Sequence, residues 1–335
     1  MNMTKRADAL AVLNGQRLPN PPRFGGLIAV TQAGLAQAGL TLSAVHTDPA
    51  QLAAAAASSY RLAGYGSAVA PCDLCVEAEA LGAVLDYRAD EAEPQFPRVI
   101  GTVAESAAGY VVPGGPPLTQ RGRLPVVGAA LAQLRAEVGH EIVVGAFVPG
   151  PFTLAMQLID VGPLLMELAE HPARVAELLD RLTPVLIEVA QFYRASGADY
   201  VTIHEMGGSP AYLGPRPFEQ LVLPRLQQLI AALPGPRVLS VCGRVTRALP
   251  LLAAAGADAL NLDQTTDLAA ARAALGPDVR LFGNLDPVGV LADGDPAQVT
   301  AAVQAASAAG ADAVWPGCDL YPLTPTANLH AFANA

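Results

Sequence analysis

The segment Gly197-Ala198-Asp199-Tyr200-Val201-Thr202-Ile203-His204-Glu205 decides the fold class. A glycine ends a helix-like run, a nearly unbroken apolar run follows, and two polar residues close it. The plan returns at Gly256-Ala257-Asp258-Ala259-Leu260-Asn261-Leu262-Asp263 and begins again at Gly310-Ala311-Asp312. Such runs mark parallel strands buried on both faces, and strand–helix alternation implies a parallel sheet. Comparable runs lie at 27–32, 67–72, 142–148, 238–243, 280–286 and 311–318. With 200–205 and 257–263 they make eight units. The prediction is an α/β fold, a (β/α)8 TIM barrel, as a single domain over residues 1–335. The rival is an open doubly wound sheet, but no G-x-G-x-x-G follows the first run.

Helix signals fit this spacing. Asp48-Pro49 reads as an N-cap with proline at the first helical position, opening a helix over 51–64. A helix over 175–196 is predicted to kink or split at Pro184. The irregular segment 86–125, rich in Pro and Gly, reads as an insertion, a lid or a hairpin over the barrel mouth.

The 335 residues carry 30 acidic and 20 basic side chains, a formal charge of −10, and are 52% hydrophobic and 15% charged. That excludes intrinsic disorder, and an acidic chain is a poor nucleic-acid binder. The mean hydropathy of +0.35 raises the membrane question. The uncharged stretches 24–47 and 142–159 are interrupted by glycine, proline or polar residues, so no membrane span is expected. No apolar run follows Lys5 and Arg6, which predicts no secretory signal and a cytoplasmic protein.

A (β/α)8 barrel keeps its chemistry at the C-terminal ends of its strands. The period of two points Thr202, His204, Ser240, Cys242, Asn261, Asp263 and Asn284 inward, if Val201, Ile203, Leu239, Val241, Leu260, Leu262 and Leu281 face the helices. Cys242 and Cys318 then come close, and two thiolates with a His or carboxylate make a zinc site. The rival is a pair of buried structural cysteines. His204 reads as a ligand, a general base or a hydrogen-bonded core histidine. Cys72-x-x-Cys75 reads as a redox pair, a metal half-site or loop packing.

At these residues the chain resembles the uroporphyrinogen decarboxylase superfamily, and within it the corrinoid-dependent methyltransferases that act on coenzyme M. The resemblance rests on Val30-Thr31-Gln32-Ala33-Gly34, His46-Thr47-Asp48, Gly150-Pro151-Phe152-Thr153-Leu154, Gly283-Asn284-Leu285-Asp286-Pro287 and Pro316-Gly317-Cys318-Asp319. The decarboxylases' Arg-Gln-Ala-Gly-Arg segment reads Thr31-Gln32-Ala33-Gly34-Leu35 here, so both carboxylate-binding arginines are absent. Their active-site tyrosine corresponds to Gln157, and Asp73 matches their aspartate. Gln32, Asp73, Gln157 and Asn284 are therefore the candidate substrate-binding residues.

The resemblance implies methyl transfer between a corrinoid and a small thiol, methoxy or methylamine compound, assisted by zinc. The methyltransferases bind zinc through His-x-Cys and a distant cysteine. Cys242 and Cys318 match the cysteines, but the histidine position is Ser240. His204 or Glu205 would restore the missing ligand, and Glu205 and Asp263 are the candidate catalytic residues. No D-x-H-x-x-G corrinoid motif occurs, so methylcobalamin or another corrinoid would be carried by a separate corrinoid protein. Two alternatives stay open: a non-catalytic barrel binding corrinoid, folate or tetrapyrrole, and a decarboxylase of a small carboxylate.

Overall fold

In a computed structural model of the chain, residues 4–91 and 94–335 are described; residues 1–3, and 92 and 93 within the expected insertion, lie outside the described residues. The apolar runs form β1 (Ser67–Ala70), β4 (Val143–Pro149), β5 (Tyr200–Glu205), β6 (Arg237–Val241), β7 (Ala259–Leu262) and β8 (Leu281–Phe282), while β2 (Val84–Asp86) and β3 (Arg98–Ile100) form a separate antiparallel pair. The six main strands pair in parallel in the order β1-β4-β5-β6-β7-β8, the α/β barrel plan expected.

Two staves differ from expectation. The run 311–318 makes only isolated parallel bridges, Ala313 with Phe282, Val314 with Arg23 and Pro316 with Leu285. The run 27–32 forms no strand. The first stave is instead the extended segment near Arg23. Its seam to β1 is closed by a side chain: the Ser67 hydroxyl accepts from the Gly25 N–H at 3.0 Å and donates to its carbonyl at 2.8 Å. Backbone groups further along are satisfied elsewhere, so a ladder is not needed. The Ile28 N–H donates to Asp319 at 2.8 Å and the Ala29 carbonyl accepts from Ser59 at 2.5 Å. Gly26 is required here, because a Cβ would lie 2.4 Å from the Trp315 ring.

The inward and outward sets separate as the period of two predicts. Val201, Ile203, Leu239, Val241, Leu260, Leu262 and Leu281 join the core shared with the helices. Tyr200, Val238, Ala259 and Phe282 fill a second core inside the barrel with Phe24 and Trp315. The helix Lys5–Leu13 plugs that core with Ala9, Val12 and Leu13. Phe24 packs on Trp315 and Phe282 at ring separations of 5.1 and 5.9 Å, which leaves no pore.

The recurring Gly-Ala-Asp is a device for starting strands. Gly197, Gly256 and Gly310 have positive φ and turn the chain out of each helix. Each aspartate then grips the neighbouring stave twice. Its own N–H donates to a carbonyl, and its carboxylate accepts the N–H of that same residue: Val144 for Asp199, Arg237 for Asp258 and Leu281 for Asp312. Arg6, Arg237 and Arg272 complete the three sites as ion pairs.

Helices depart from expectation at two points. Asp48 caps as predicted, but the helix is divided at Ala57 into Pro49–Ala56 and Ser58–Ala63. Pro184 does not split its helix, which runs from Pro172 to Ala195. One proline costs a helix interior roughly 3 kcal/mol, and the ten buried side chains on that helix outweigh it. The segment 86–125 starts at the last residue of β2 and contains β3, and its Ala107 N–H donates to Glu167 at 2.7 Å. Among the described residues no single helix is long and apolar enough to cross a membrane.

Ser67→Ala leaves the Gly25 N–H buried and unpaired, so the fold should lose about 1–3 kcal/mol. The check is a lower urea midpoint at unchanged slope; an unchanged midpoint would mean that the seam does not depend on Ser67.

Candidate metal centre

The top inward layer is built from β5, β6 and the eighth stave. His204 is the next-to-last residue of β5, Cys242 follows β6, and Cys318 follows Pro316. Their ligand atoms lie within 4.8 Å of one another. His204 Nε2 is 4.0 Å from Cys242 Sγ, which is 3.9 Å from Cys318 Sγ. A tetrahedral zinc with ordinary Zn–S and Zn–N bonds sets such atoms about 3.6–3.8 Å apart, so the donor set fits zinc with little movement. His204 is buried, whereas both cysteines are partly exposed.

The imidazole is held from behind. His204 Nδ1 is 3.1 Å from Ser240 Oγ, which donates to Asn261 Oδ1 at 2.8 Å. Register explains the contact: His204 pairs with Ser240 and Ser240 with Asn261 across adjacent strands. Burial opposes a charged imidazole, but hydrogen bonding and charge from Cys318, with Asp319 and Glu205, leave the His204 pKa raised. The Cys318 thiol is pushed up by its hydrogen bond with Cys242, by burial and by Asp319.

Glu205 is not part of this cluster. As an outward residue of β5 it points at the start of the helix Pro151–Leu158. Its carboxylate accepts from the N–H groups of Phe152, Thr153 and Gly208 and from the Thr153 hydroxyl, at 2.5–3.0 Å. Those four donors hold the carboxylate at the start of that helix, apart from the donor atoms of His204, Cys242 and Cys318. Burial nonetheless raises its pKa.

Asp263 is also held by several donors. It accepts from the Gly243 N–H, from the Thr265 N–H at 2.8 Å and from the Thr265 hydroxyl at 2.5 Å, joining the loops after β6 and β7. These bonds fix the two loops relative to one another.

The candidate substrate residues differ in their surroundings. Asp73 is fully buried between Arg123, at 2.6 and 3.0 Å, and His46 at 3.0 Å. Burial works against its charge, but those two partners hold its pKa well below the usual carboxylate range. Asn284 donates to the carbonyls of Asp263 and Thr266 at 3.0 and 2.7 Å. Gln32 is exposed in a groove with Leu35, Arg88 and Gln95. Asp73 and Asn284 are engaged with protein partners, and Gln32 stands open to solvent.

Gln157 alone of the four lines a substantial apolar cavity on the active face, of about 540 Å³, while its amide donates to the Leu74 carbonyl at 2.9 Å. Cys72 and Cys75 remain free; burial raises the pKa of both thiols, Cys75 to about 12, which suits loop packing rather than redox chemistry.

Sequence reasoning passed over Glu77, Arg123 and Tyr193. All three sit on helices or helix starts, where a polar residue reads as solvated. Glu77 is buried on the helix Val76–Ala80 and accepts from the Tyr193 hydroxyl at 3.1 Å; burial raises its pKa to about 8. That lies above the unfolded value of about 4.3, so its stabilising contribution is full below that value and is lost as pH rises through 8. Stability should fall from pH 5 to 9, and Glu77→Gln should flatten the fall; an identical pH profile in the variant would refute the assignment.

Residues 4–335 match the sequence model of the uroporphyrinogen decarboxylase (URO-D) family. Methylcobamide:CoM methyltransferase MtaA of Methanosarcina barkeri is 28% identical over 337 residues, covering 99% of this chain and 97% of that protein. Methylated-thiol–coenzyme M methyltransferase of Methanosarcina mazei is 26% identical, with 99% and 89% covered. The solved structure of a methyltransferase from Methanosarcina mazei superposes with a TM-score of 0.92 at 27% identity, with 99% and 97% covered. A match over nearly every residue of the barrel leads to one conclusion: the chain belongs to the uroporphyrinogen decarboxylase family.

Proposed function

We propose that this chain is the cytoplasmic methyltransferase component that moves a methyl group between a corrinoid, carried by a separate corrinoid protein, and a small substrate, with zinc held by His204, Cys242 and Cys318. One observation carries the reading: three zinc-type donors from three staves converge within 4.8 Å on the face where barrels keep their chemistry. The full-length likeness to methylcobamide:CoM methyltransferases supports it.

Zinc bound there would act as a Lewis acid, keeping a substrate thiol ionised at neutral pH or polarising a methyl-bearing heteroatom. Three protein ligands leave a fourth position open for that atom. His204 and the two cysteines hold the site, while Glu205 and Asp263 fix the loops around it. The cavity supplies room for the body of the substrate. Met206, two residues past His204, lines it with Met156, Val161, Leu165, Tyr212 and Leu213, and among the described residues no charged side chain does. Such a wall favours an uncharged, apolar compound and excludes water, and its two thioethers adapt to varied shapes. A decarboxylase reading has less support, because Asp73 is saturated by Arg123 and His46.

Purified protein should contain one zinc per chain. Cys242→Ala, Cys318→Ala and His204→Ala should each lose it, and demethylation of methylcobalamin should drop more than about 100-fold, beyond the usual loss for an outer residue. Metal-free active protein would sink the ligand assignment. Met206→Arg should raise KM for uncharged methyl compounds while leaving zinc content intact; an unchanged KM would remove the cavity from the substrate's path.

A further inference from the structure

Ser240 and Asn261 make no contact with the two thiols, yet they continue the centre as one hydrogen-bonded chain across three staves. The direction of that chain can be derived. Asn261 Nδ2 faces the carbonyls of Phe282 and Pro316 at 3.4 and 3.5 Å. An amide must turn its NH₂ toward two carbonyls, so Oδ1 is the atom that faces Ser240. The single Ser240 proton is then given to Asn261 at 2.8 Å. With its proton spent, the Ser240 oxygen can only accept, and the group 3.1 Å away is His204 Nδ1. A neutral imidazole has one proton, and that proton belongs on Nδ1. The Nε2 lone pair is left facing the two sulfur atoms.

We propose that Ser240 and Asn261 are positioning residues that lock His204 in its Nδ1–H tautomer and so present Nε2 as a metal ligand. The assignment rests on the zinc reading of the centre for its purpose, but not for its geometry. All three side chains are about 1% exposed, so water does not compete for these bonds. Cross-strand register makes the arrangement specific. His204 pairs with Ser240 and Ser240 with Asn261, so each donor meets its acceptor in the neighbouring stave of one layer. Orienting partners of this kind commonly change metal affinity by about 10–100-fold.

Two readouts test the proposal separately from the zinc reading. The first is ¹⁵N NMR of His204 in metal-free full-length protein, at a pH where the ring is neutral. Wild type should carry the proton on Nδ1, Ser240→Ala should shift toward the Nε2–H form, and Ser240→Thr should restore the wild-type signature. The Nε2–H form in wild type, or one tautomer throughout, overturns the proposal whether or not zinc binds.

The second readout is zinc affinity by competition with a chelator. Ser240→Ala and Asn261→Ala should bind zinc about 10–100-fold more weakly. Thr202→Val, one layer lower on β5, controls for a general loosening of the barrel. Equal affinities in Ser240→Ala and wild type, or an equal loss in Thr202→Val, overturn it. Wild type that binds no zinc refutes the ligand set of the centre and leaves the tautomer measurement to decide the role of Ser240.

Discussion

The parallel register of β5, β6 and β7 is the constraint on which the rest of the molecule depends. It sets His204 beside Ser240 and Ser240 beside Asn261, all facing inward. A slip of one residue would turn every one of them toward the helices and bring Ile203 and Val241 into the barrel. Nothing local holds that register. It is pinned by the aromatic packing of Phe24, Tyr200, Phe282 and Trp315 inside, by the leucine and valine layer outside, and by the three aspartates that grip a neighbouring stave at its lower end. The metal centre is thus a consequence of packing carried up the strands.

Buried carboxylates do most of the remaining positioning. Asp73, Glu205, Asp263 and Asp312 are nearly or fully buried, and each is surrounded by N–H, hydroxyl or guanidinium donors. A buried charge is tolerated only when it is satisfied in this way. Satisfaction also fixes position, since a carboxylate gripped by several donors ties together the loops that carry them. In a weakly charged chain, polar residues near strand ends divide into those that fasten loops and those left open to chemistry. The thiols of Cys242 and Cys318 and the Nε2 atom of His204 are the open ones.

The barrel was legible because both-face burial writes itself as apolar runs and because strand parity is strict. The run Tyr200–Glu205 is observed as read, and the inward and outward sets separate accordingly. The first stave was not legible. The apolar residues at 27–30 are buried, but their backbone bonds go to Asp319, Ser59 and Leu320. Periodicity reports burial and does not report which partner satisfies a backbone group. The surroundings of Glu205 and Asp263 were not legible for a related reason: sequence gives the identity of a carboxylate but not the number of donors aimed at it.

The sequence by itself determined the strand–helix alternation, the parity of each strand and the chance for Cys242, Cys318 and His204 to share the mouth of one barrel. Those features follow from hydrophobic periodicity, which is local. Only the tertiary structure decided that His204 reaches the thiols, that Glu205 turns to a helix start, and that Ser240 stands behind the imidazole. These depend on strand register and on where hydrogen bonds close across residues distant in the chain, and no short stretch of sequence encodes either.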